Sequence, residues 1–283
     1  MLILTHENAD FDAIASLLAA RKLHPNGMPM LPRRVNRNVE KFLTLYWDIF
    51  PFLRPGEWKR QRVEQVILVD TQHITAVRGM IPDPQVQVFD HHEQKEEREK
   101  WEYHIEPLGA TTTLLVEQIK ARGLAISDEE ATLFLLGIHE DTGSLTYPST
   151  TVRDVWAAGW LMEQGALLPA VRRFLRMPFT AVQRDLYEQL LQNVRWLESG
   201  GQTIALATAV APPAFDDEIS PIAHRLRDLI PAAALFVLVK IGSQSVQLVA
   251  RSRSDQIDVA FVARAMGGGG HRRAAAALIV SDS

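Results

Sequence analysis

Val86-Gln87-Val88-Phe89-Asp90-His91-His92 runs a short apolar segment straight into one carboxylate and two imidazoles. A segment rich in β-branched and aromatic residues predicts a strand, so the polar triplet stands at its carboxyl end. Upstream, Val66-Ile67-Leu68-Val69-Asp70 repeats the pattern, and Leu2-Ile3-Leu4-Thr5 leads into His6-Glu7-Asn8-Ala9-Asp10-Phe11-Asp12. Three predicted strands, 1–5, 66–70 and 86–90, therefore each end in residues that can ligate a metal. Helix-length segments are predicted at 12–22, 111–122 and 128–138, and Ser127 with Glu130 has the spacing of a capping box for the last. Strands alternating with helices predict an α/β fold with a mostly parallel sheet, which binds ligands beyond the carboxyl ends of its strands.

The bulk properties narrow the chemistry. With 283 residues, 47% hydrophobic and 23% charged, the chain can bury a sizeable core, and its length suits two units of unequal size. There is no cysteine, so disulfides and thiolate metal sites are excluded and any metal must be held by His and carboxylates. A formal charge of -4 gives no global attraction for long nucleic acid but is compatible with a small anion in a local basic pocket. No run approaches the roughly 20 apolar residues that span a bilayer, and the first apolar run is too short for a signal peptide. A cytoplasmic protein with no membrane partner is expected.

In the second half, Val182, Leu186, Leu190, Val194 and Leu197 recur at helical spacing, ended by Ser199-Gly200-Gly201. This predicts a helix over 180–198 that joins two domains: a catalytic domain at 1–179, a helical linker at 180–200 and a smaller α/β substrate-binding domain at 201–283. Within the latter, strands are expected at 203–210, 233–241, 246–251 and 274–280 and helices near 219–229 and 259–266. Gly267-Gly268-Gly269-Gly270-His271 interrupts that order. The charged segment 93–100 reads as a solvated loop or helix face.

Each candidate residue has an ordinary alternative. Asp10 and Asp12 would suit the start of a helix as caps, Asp70 would suit a turn, and His91 and His92 could be polar surface. Burying an unpaired carboxylate behind a run such as residues 66–69 is costly without a cation or several donors. Two adjacent histidines cannot easily perform one task, so one is expected to coordinate and the other to face substrate, with Asp90 orienting an imidazole. Asp141, in Gly137-Ile138-His139-Glu140-Asp141-Thr142-Gly143, follows a strongly apolar helix and could close a metal cage. His139 and Glu140 are expected as outer support or solvent-facing groups. Four segments delivering Asp or His to one sheet edge outweigh the separate alternatives, and together they supply enough ligands for two divalent ions.

These motifs resemble those of the DHH phosphoesterase superfamily, named for the triplet that stands here as Asp90-His91-His92. Its first motif resembles the segment from His6 to Asp12, its second Asp70, and its fourth Asp141-Thr142-Gly143. The second half resembles the DHH-associated C-terminal domain through Arg251-Ser252-Arg253 and the glycines before His271. The resemblance implies that His6, Asp10 and Asp70 hold one metal, and that Asp12, Asp70, His91 and Asp141 hold the other. Asp70 would bridge, His92 would lie beside the substrate phosphate, and Asp90 would support it. Arg251, Ser252, Arg253, Gly268, Gly269, Gly270 and His271 would grip the substrate. Backbone N–H groups of a glycine run can approach an anion closely, and arginine suits bidentate phosphate recognition.

Asn8-Ala9-Asp10-Phe11-Asp12-Ala13, Gly109-Ala110-Thr111-Thr112-Thr113 and Glu140-Asp141-Thr142-Gly143-Ser144-Leu145 are similar to a branch in which the DHH module precedes CBS domains and a poly(A) polymerase or tRNA nucleotidyltransferase domain. The chain is therefore expected to be a stand-alone relative or part of a longer chain carrying those domains. The alanine run from Ala274 departs from the usual Ala-Ala-Gly ending. The implied cofactors are two divalent ions, Mn²⁺ first, with Mg²⁺, Co²⁺, Fe²⁺ or Zn²⁺ as alternatives. The expected substrate is a short RNA or DNA oligonucleotide or small nucleotide, and a homodimer is compatible with the reading. Alternatives are a cyclic dinucleotide phosphodiesterase, a 3′,5′-bisphosphate nucleotidase, or a noncatalytic nucleotide-binding or RNA-binding module of a nucleotidyltransferase.

Overall fold

The computed structural model describes residues 1–94, 97–175, 177–213, 215–254 and 256–280. Lys95 and Glu96, within the charged segment 93–100, lie outside the described residues. The chain divides into two compact units, Met1–Met177 and Pro178–Ser283.

The first unit contains β1 (Leu2–Leu4), α1 (Phe11–Leu23), β2 (Met28–Pro29), α2 (Arg37–Tyr46), β3 (Val63–Val69), β4 (Met80–Asp90) and β5 (Trp101–Ile105). Four helices follow: α3 (Thr111–Ala121), α4 (Asp128–Asp141), α5 (Val152–Glu163) and α6 (Leu168–Leu175). Its five strands pair in parallel in the order β2-β1-β3-β4-β5. The order reverses between β1 and β3, and in such sheets the crevice at that switch point, beyond the strand carboxyl ends, is the ligand site.

Alternation along each strand separates two cores. Ile3, Ile67, Val69 and Phe89 face the helices, whereas Leu2, Leu4, Val66, Leu68, Val86 and Val88 face a second cluster that includes Trp58, Ile74 and Val77. On the helical side, Phe11 meets Phe42 edge-on at 5.6 Å, and Phe42 meets Phe174 at 5.1 Å. α4 begins with the expected capping box: Glu130 N–H donates to Ser127 Oγ at 3.3 Å, and Ser127 N–H donates to Glu130 Oε2 at 2.8 Å.

The second unit contains α7 (Ala181–Gln192), β6 (Val194–Ser199), β7 (Gln202–Val210), α8 (Ser220–Leu229), β8 (Ala234–Ile241), β9 (Ser245–Ser252), α9 (Val259–Ala265), β10 (Gly269–His271) and β11 (Ala274–Val280). Its sheet has the order β10-β11-β9-β8-β7-β6, with β7 and β8 parallel and every other pair antiparallel. The helix expected over 180–198 ends at Gln192, and the next residues form the edge strand β6. Leu186 and Leu190 pack into this unit's own core with Ala205, Ile222 and Val237. Val194 and Leu197 fit helical spacing by coincidence, because they lie on opposite faces of a strand. Among the described residues no helix is long and apolar enough to cross a membrane.

Candidate metal centre

The carboxyl ends of β1, β3 and β4 bring together the segments from His6 to Asp12, Asp70 and Asp90 to His92. The close of α4 adds Asp141. Two groups have ligand atoms within 4.8 Å of one another: His6 with Asp10 and Asp70, and Asp12 with His91 and Asp141. Asp70 also lies within that range of Asp90, His91 and His92, so it adjoins both groups. All six residues assigned as ligands by resemblance therefore converge.

Helix starts hold these carboxylates. α3 follows Ala110, which has no side chain able to cap it, and its first N–H groups turn instead to the fully buried Asp12. Thr111 N–H donates to Asp12 Oδ2 at 2.8 Å and Thr112 N–H to Oδ1 at 2.9 Å. Asp10 caps α1, its Oδ1 accepting from Ala13 N–H at 3.1 Å, while remaining in the ligand group. Asp70 has φ 54°, a left-handed conformation that ends β3 abruptly. Its Oδ1 accepts from Thr111 Oγ1 at 3.1 Å.

Both candidate imidazole ligands are fixed through Nδ1 by backbone carbonyls, Glu7 C=O for His6 at 2.9 Å and Leu108 C=O for His91 at 3.1 Å. This arrangement leaves Nε2 on the cluster side of each ring. His6 Nε2 is 3.2 Å from Asp70 Oδ2, and His91 Nε2 is 3.2 Å from Asp141 Oδ2 and 3.6 Å from Asp70 Oδ1. His91 Nε2 is buried and has no aligned hydrogen-bond partner, although Asp141 Oδ2 stands 3.2 Å away. A buried imidazole nitrogen without a hydrogen bond, ringed by carboxylate oxygens, fits a divalent cation with mixed nitrogen and oxygen ligands.

The electrostatics agree with that fit. Burial raises the carboxyls of Asp10 and Asp12, with Asp141 adding repulsion, and Asp12 reaches about 7. Burial, then Asp12 and Asp10, push Asp70 well above the usual carboxylate range. Burial disfavours the charged form of His91, but Asp141, Asp12 and Asp70 overcome it and hold its pKa well above the ordinary imidazole value. The cluster is short of positive charge, which divalent ions would supply.

His91 and His92 occupy different environments: their side chains are 12% and 43% exposed. His92 Nδ1 donates to Asp90 Oδ1 at 2.9 Å. The same oxygen accepts from the backbone N–H of His91 at 2.8 Å and of His92 at 3.1 Å, and Gln72 Nε2 donates to Oδ2 at 2.9 Å. Burial opposes ionisation of Asp90, but the His92 bond and charge, with the Gln72 and backbone donors, outweigh it and lower its pKa.

Two supports reach partners that sequence spacing does not show. Glu140 Oε2 accepts from Phe11 N–H at 2.5 Å, joining the end of α4 to the start of α1. Burial, then Asp10, raise its carboxyl well above the usual range. Gln72 braces Asp90 from the loop after β3, where no motif marks it.

In the second unit, Arg251 Nη2 donates to Ser220 Oγ at 2.6 Å and Nη1 to Ala250 C=O at 3.0 Å. Ser252 is buried, its hydroxyl donating to Ser254 C=O at 2.9 Å, and Arg253 Nη2 donates to Arg227 C=O. The glycine segment is partly a strand, for Gly269, Gly270 and His271 pair with Ala276, Ala275 and Ala274. Gly268 and Gly270 have a reason in packing alone, since an added Cβ would lie 2.1 Å from Ala276 O and 2.4 Å from Ala274 O respectively. Gly268→Ala is expected to destabilise the protein by about 1–3 kcal/mol, the cost of overpacking, seen as a lowered midpoint in thermal unfolding. An unchanged midpoint would show that β11 can move aside.

Residues 1–138 match the DHH family, N-terminal domain. The first unit carries a DHH domain. The chain is 36% identical over 274 residues to an A-adding tRNA nucleotidyltransferase of Geobacter sulfurreducens, a match covering 94% of this chain and 31% of that protein. It thus spans about a third of the length of that relative. A manganese-dependent inorganic pyrophosphatase of Bacillus subtilis is 34% identical over 170 residues, 58% of this chain and 54% of that protein. An exopolyphosphatase-related protein from Bacteroides fragilis has a similar fold at TM-score 0.79 and 16% identity, covering 100% of this chain and 87% of that one. The DHH domain and the two-unit α/β fold expected from the motifs are thus both present, with a centre compatible with divalent metal.

Proposed function

We propose that this chain is a manganese-dependent phosphoesterase that hydrolyses short oligonucleotides or small nucleotides, releasing a nucleoside monophosphate. The observation that carries the reading is the pair of ligand groups adjoining Asp70, His6 with Asp10 and Asp12 with His91 and Asp141. His6, Asp10 and Asp70 would hold one ion, and Asp12, Asp70, His91 and Asp141 the other. When bound, such a pair of ions supplies a nucleophilic water at neutral pH and neutralises charge developing on the phosphoryl oxygens. The fully buried Asp12 and the backbone-fixed Nδ1 atoms of His6 and His91 pre-set the ligand geometry. Asp90 orients His92, which we assign to the substrate phosphate. Arg251, Arg253 and His271 are assigned to substrate recognition in the second unit, where the arginines are tied to Ser220 and Arg227.

The manganese assignment draws on the Bacillus subtilis relative and on the mixed imidazole and carboxylate donors. The test is a panel of dinucleotide, pentanucleotide, cyclic dinucleotide, 3′,5′-bisphosphorylated adenosine and pyrophosphate, assayed with Mn²⁺. Mononucleotide release from the dinucleotide and pentanucleotide is expected. Turnover of pyrophosphate alone would overturn the nucleotide assignment while keeping the centre.

A second reading is favoured by one observation, the match over 94% of this chain to part of an A-adding tRNA nucleotidyltransferase. In that reading the chain is a nucleotide-binding or RNA-positioning module of a longer protein. Binding of a short oligonucleotide with no hydrolysis of any panel member would select it.

A further inference from the structure

Asp154 is fully buried at the third position of α5. Part of its role is local: Thr151 N–H and Thr151 Oγ1 both donate to Asp154 Oδ2 at 2.7 Å, completing a capping box. Such acids ordinarily sit on a surface helix start and need no further partner. This one reaches into the segment 108–113. Gly109 N–H donates to Oδ2 at 3.0 Å and lies 3.2 Å from Oδ1, and Thr113 Oγ1 donates to Oδ1 at 2.6 Å.

The other side of that segment addresses the metal centre. Leu108 C=O accepts from His91 Nδ1, Thr111 N–H and Thr112 N–H donate to the two oxygens of Asp12, and Thr111 Oγ1 donates to Asp70. Gly109 is pinned where no side chain fits: an added Cβ would stand 2.7 Å from Asp154 Oδ2 and 2.6 Å from Thr142 Cγ2, beside Asp141. A buried carboxylate retained with this many donors is costly to disturb, because removing it strands each donor in a dry interior.

We propose that Asp154 is a positioning residue for the metal centre: its carboxylate anchors 108–113, and through that segment sets the orientation of His91, Asp12 and Asp70. It touches no ligand atom itself. The inference rests on the metal assignment above, and outer groups that orient ligands typically change metal affinity by about 10–100-fold.

The test compares Asp154→Ala, Asp154→Asn and Thr151→Ala, with Mn²⁺ affinity measured by calorimetry and the His91 Nδ1–H resonance recorded in metal-free protein. Asp154→Ala is expected to weaken Mn²⁺ binding by about 10–100-fold and to move or broaden that resonance. Asp154→Asn keeps the shape and one acceptor oxygen, so binding should return to within about threefold of wild type on the same scale. Thr151→Ala weakens the cap of α5 but leaves the Gly109 contact, so it should lower the unfolding midpoint with Mn²⁺ affinity unchanged. If Asp154→Ala does not fold, Thr113→Val carries the test, because the Thr113 hydroxyl, unlike that of Thr151, ties the 108–113 segment itself to Asp154, and Thr113 is no assigned ligand. It should weaken Mn²⁺ binding and move the same resonance. The proposal is overturned if folded Asp154→Ala, or Thr113→Val in its place, retains both wild-type affinity and the His91 signal, or if Thr151→Ala loses as much affinity. A wild-type protein that binds no Mn²⁺ would defeat the metal assignment instead, and the resonance would still decide whether Asp154 orients His91.

Discussion

Asp70→Asn should abolish most manganese binding while leaving the metal-free protein at least as stable as wild type. Asp70 adjoins both ligand groups, so the substitution removes charge from both assigned ion positions at once. Backbone strain does not confound the comparison, because asparagine is among the residues best suited to a positive φ such as the 54° found here. An amide that keeps its oxygen toward Thr111 Oγ1 still accepts that hydrogen bond. Burial, with Asp12 and Asp10, disfavours ionisation of Asp70, so neutralising it relieves repulsion in the metal-free state. A shared ligand should matter more than an outer support, so Mn²⁺ affinity is expected to fall by at least about 100-fold, the upper end of losses from outer-shell changes. Turnover should fall by about 10³-fold, the scale set by losing a principal electrostatic stabiliser of a transition state. Calorimetric titration with Mn²⁺ alongside thermal unfolding in chelator separates the effects. Unchanged Mn²⁺ binding would remove Asp70 from its bridging role.

The residues that made this centre legible share one property: each stands at a sharp break between an apolar run and a polar group. Asp70 and Asp90 are conspicuous because burial to 5% and 1% follows directly from the runs before them. β5 was missed because Glu102 and His104 interrupt it at a sheet edge, where solvent tolerates polar side chains. α5 was missed for a related reason, since Val152, Val155 and Trp156 are exposed and blur its apolar stripe. Glu140 was expected as outer support or a solvent-facing group, but its partner, like the support role of Asp154, was invisible because those partners lie 129 and 45 residues away. Spacing reports what one helix or strand does with its own neighbours. It cannot report which distant N–H a carboxylate will find.

That concentration of carboxylates makes metal-free stability depend on pH in a direction that can be worked out. Asp12 ionises from 3.8 in the unfolded chain but only near 7 when folded, burial being the main cause. Its contribution is therefore fully present below 3.8 and is lost as pH rises through about 7. Asp10, Asp70 and Glu140 shift in the same direction, each chiefly through burial. His91 is also raised, the surrounding carboxylates overcoming its burial, so its contribution is present below 6.5 and is lost as pH climbs through its higher folded value. Asp90 is lowered and acts oppositely, losing its contribution only as pH falls below 3.8. From mildly acidic to mildly alkaline solution the cluster should thus progressively destabilise the metal-free protein. Bound Mn²⁺ reverses the sense, because it needs deprotonated ligands and supplies the missing positive charge. The rise in unfolding midpoint on adding Mn²⁺ should therefore grow with pH. With free Mn²⁺ near 100 times its dissociation constant, the stabilisation is about 2.7 kcal/mol. That corresponds to roughly 5–10 °C for a domain of this size. Paired melts in chelator and in Mn²⁺ across this pH range provide the check, and a Mn²⁺ increment that shrinks as pH rises would contradict the charge deficit assigned to the cluster.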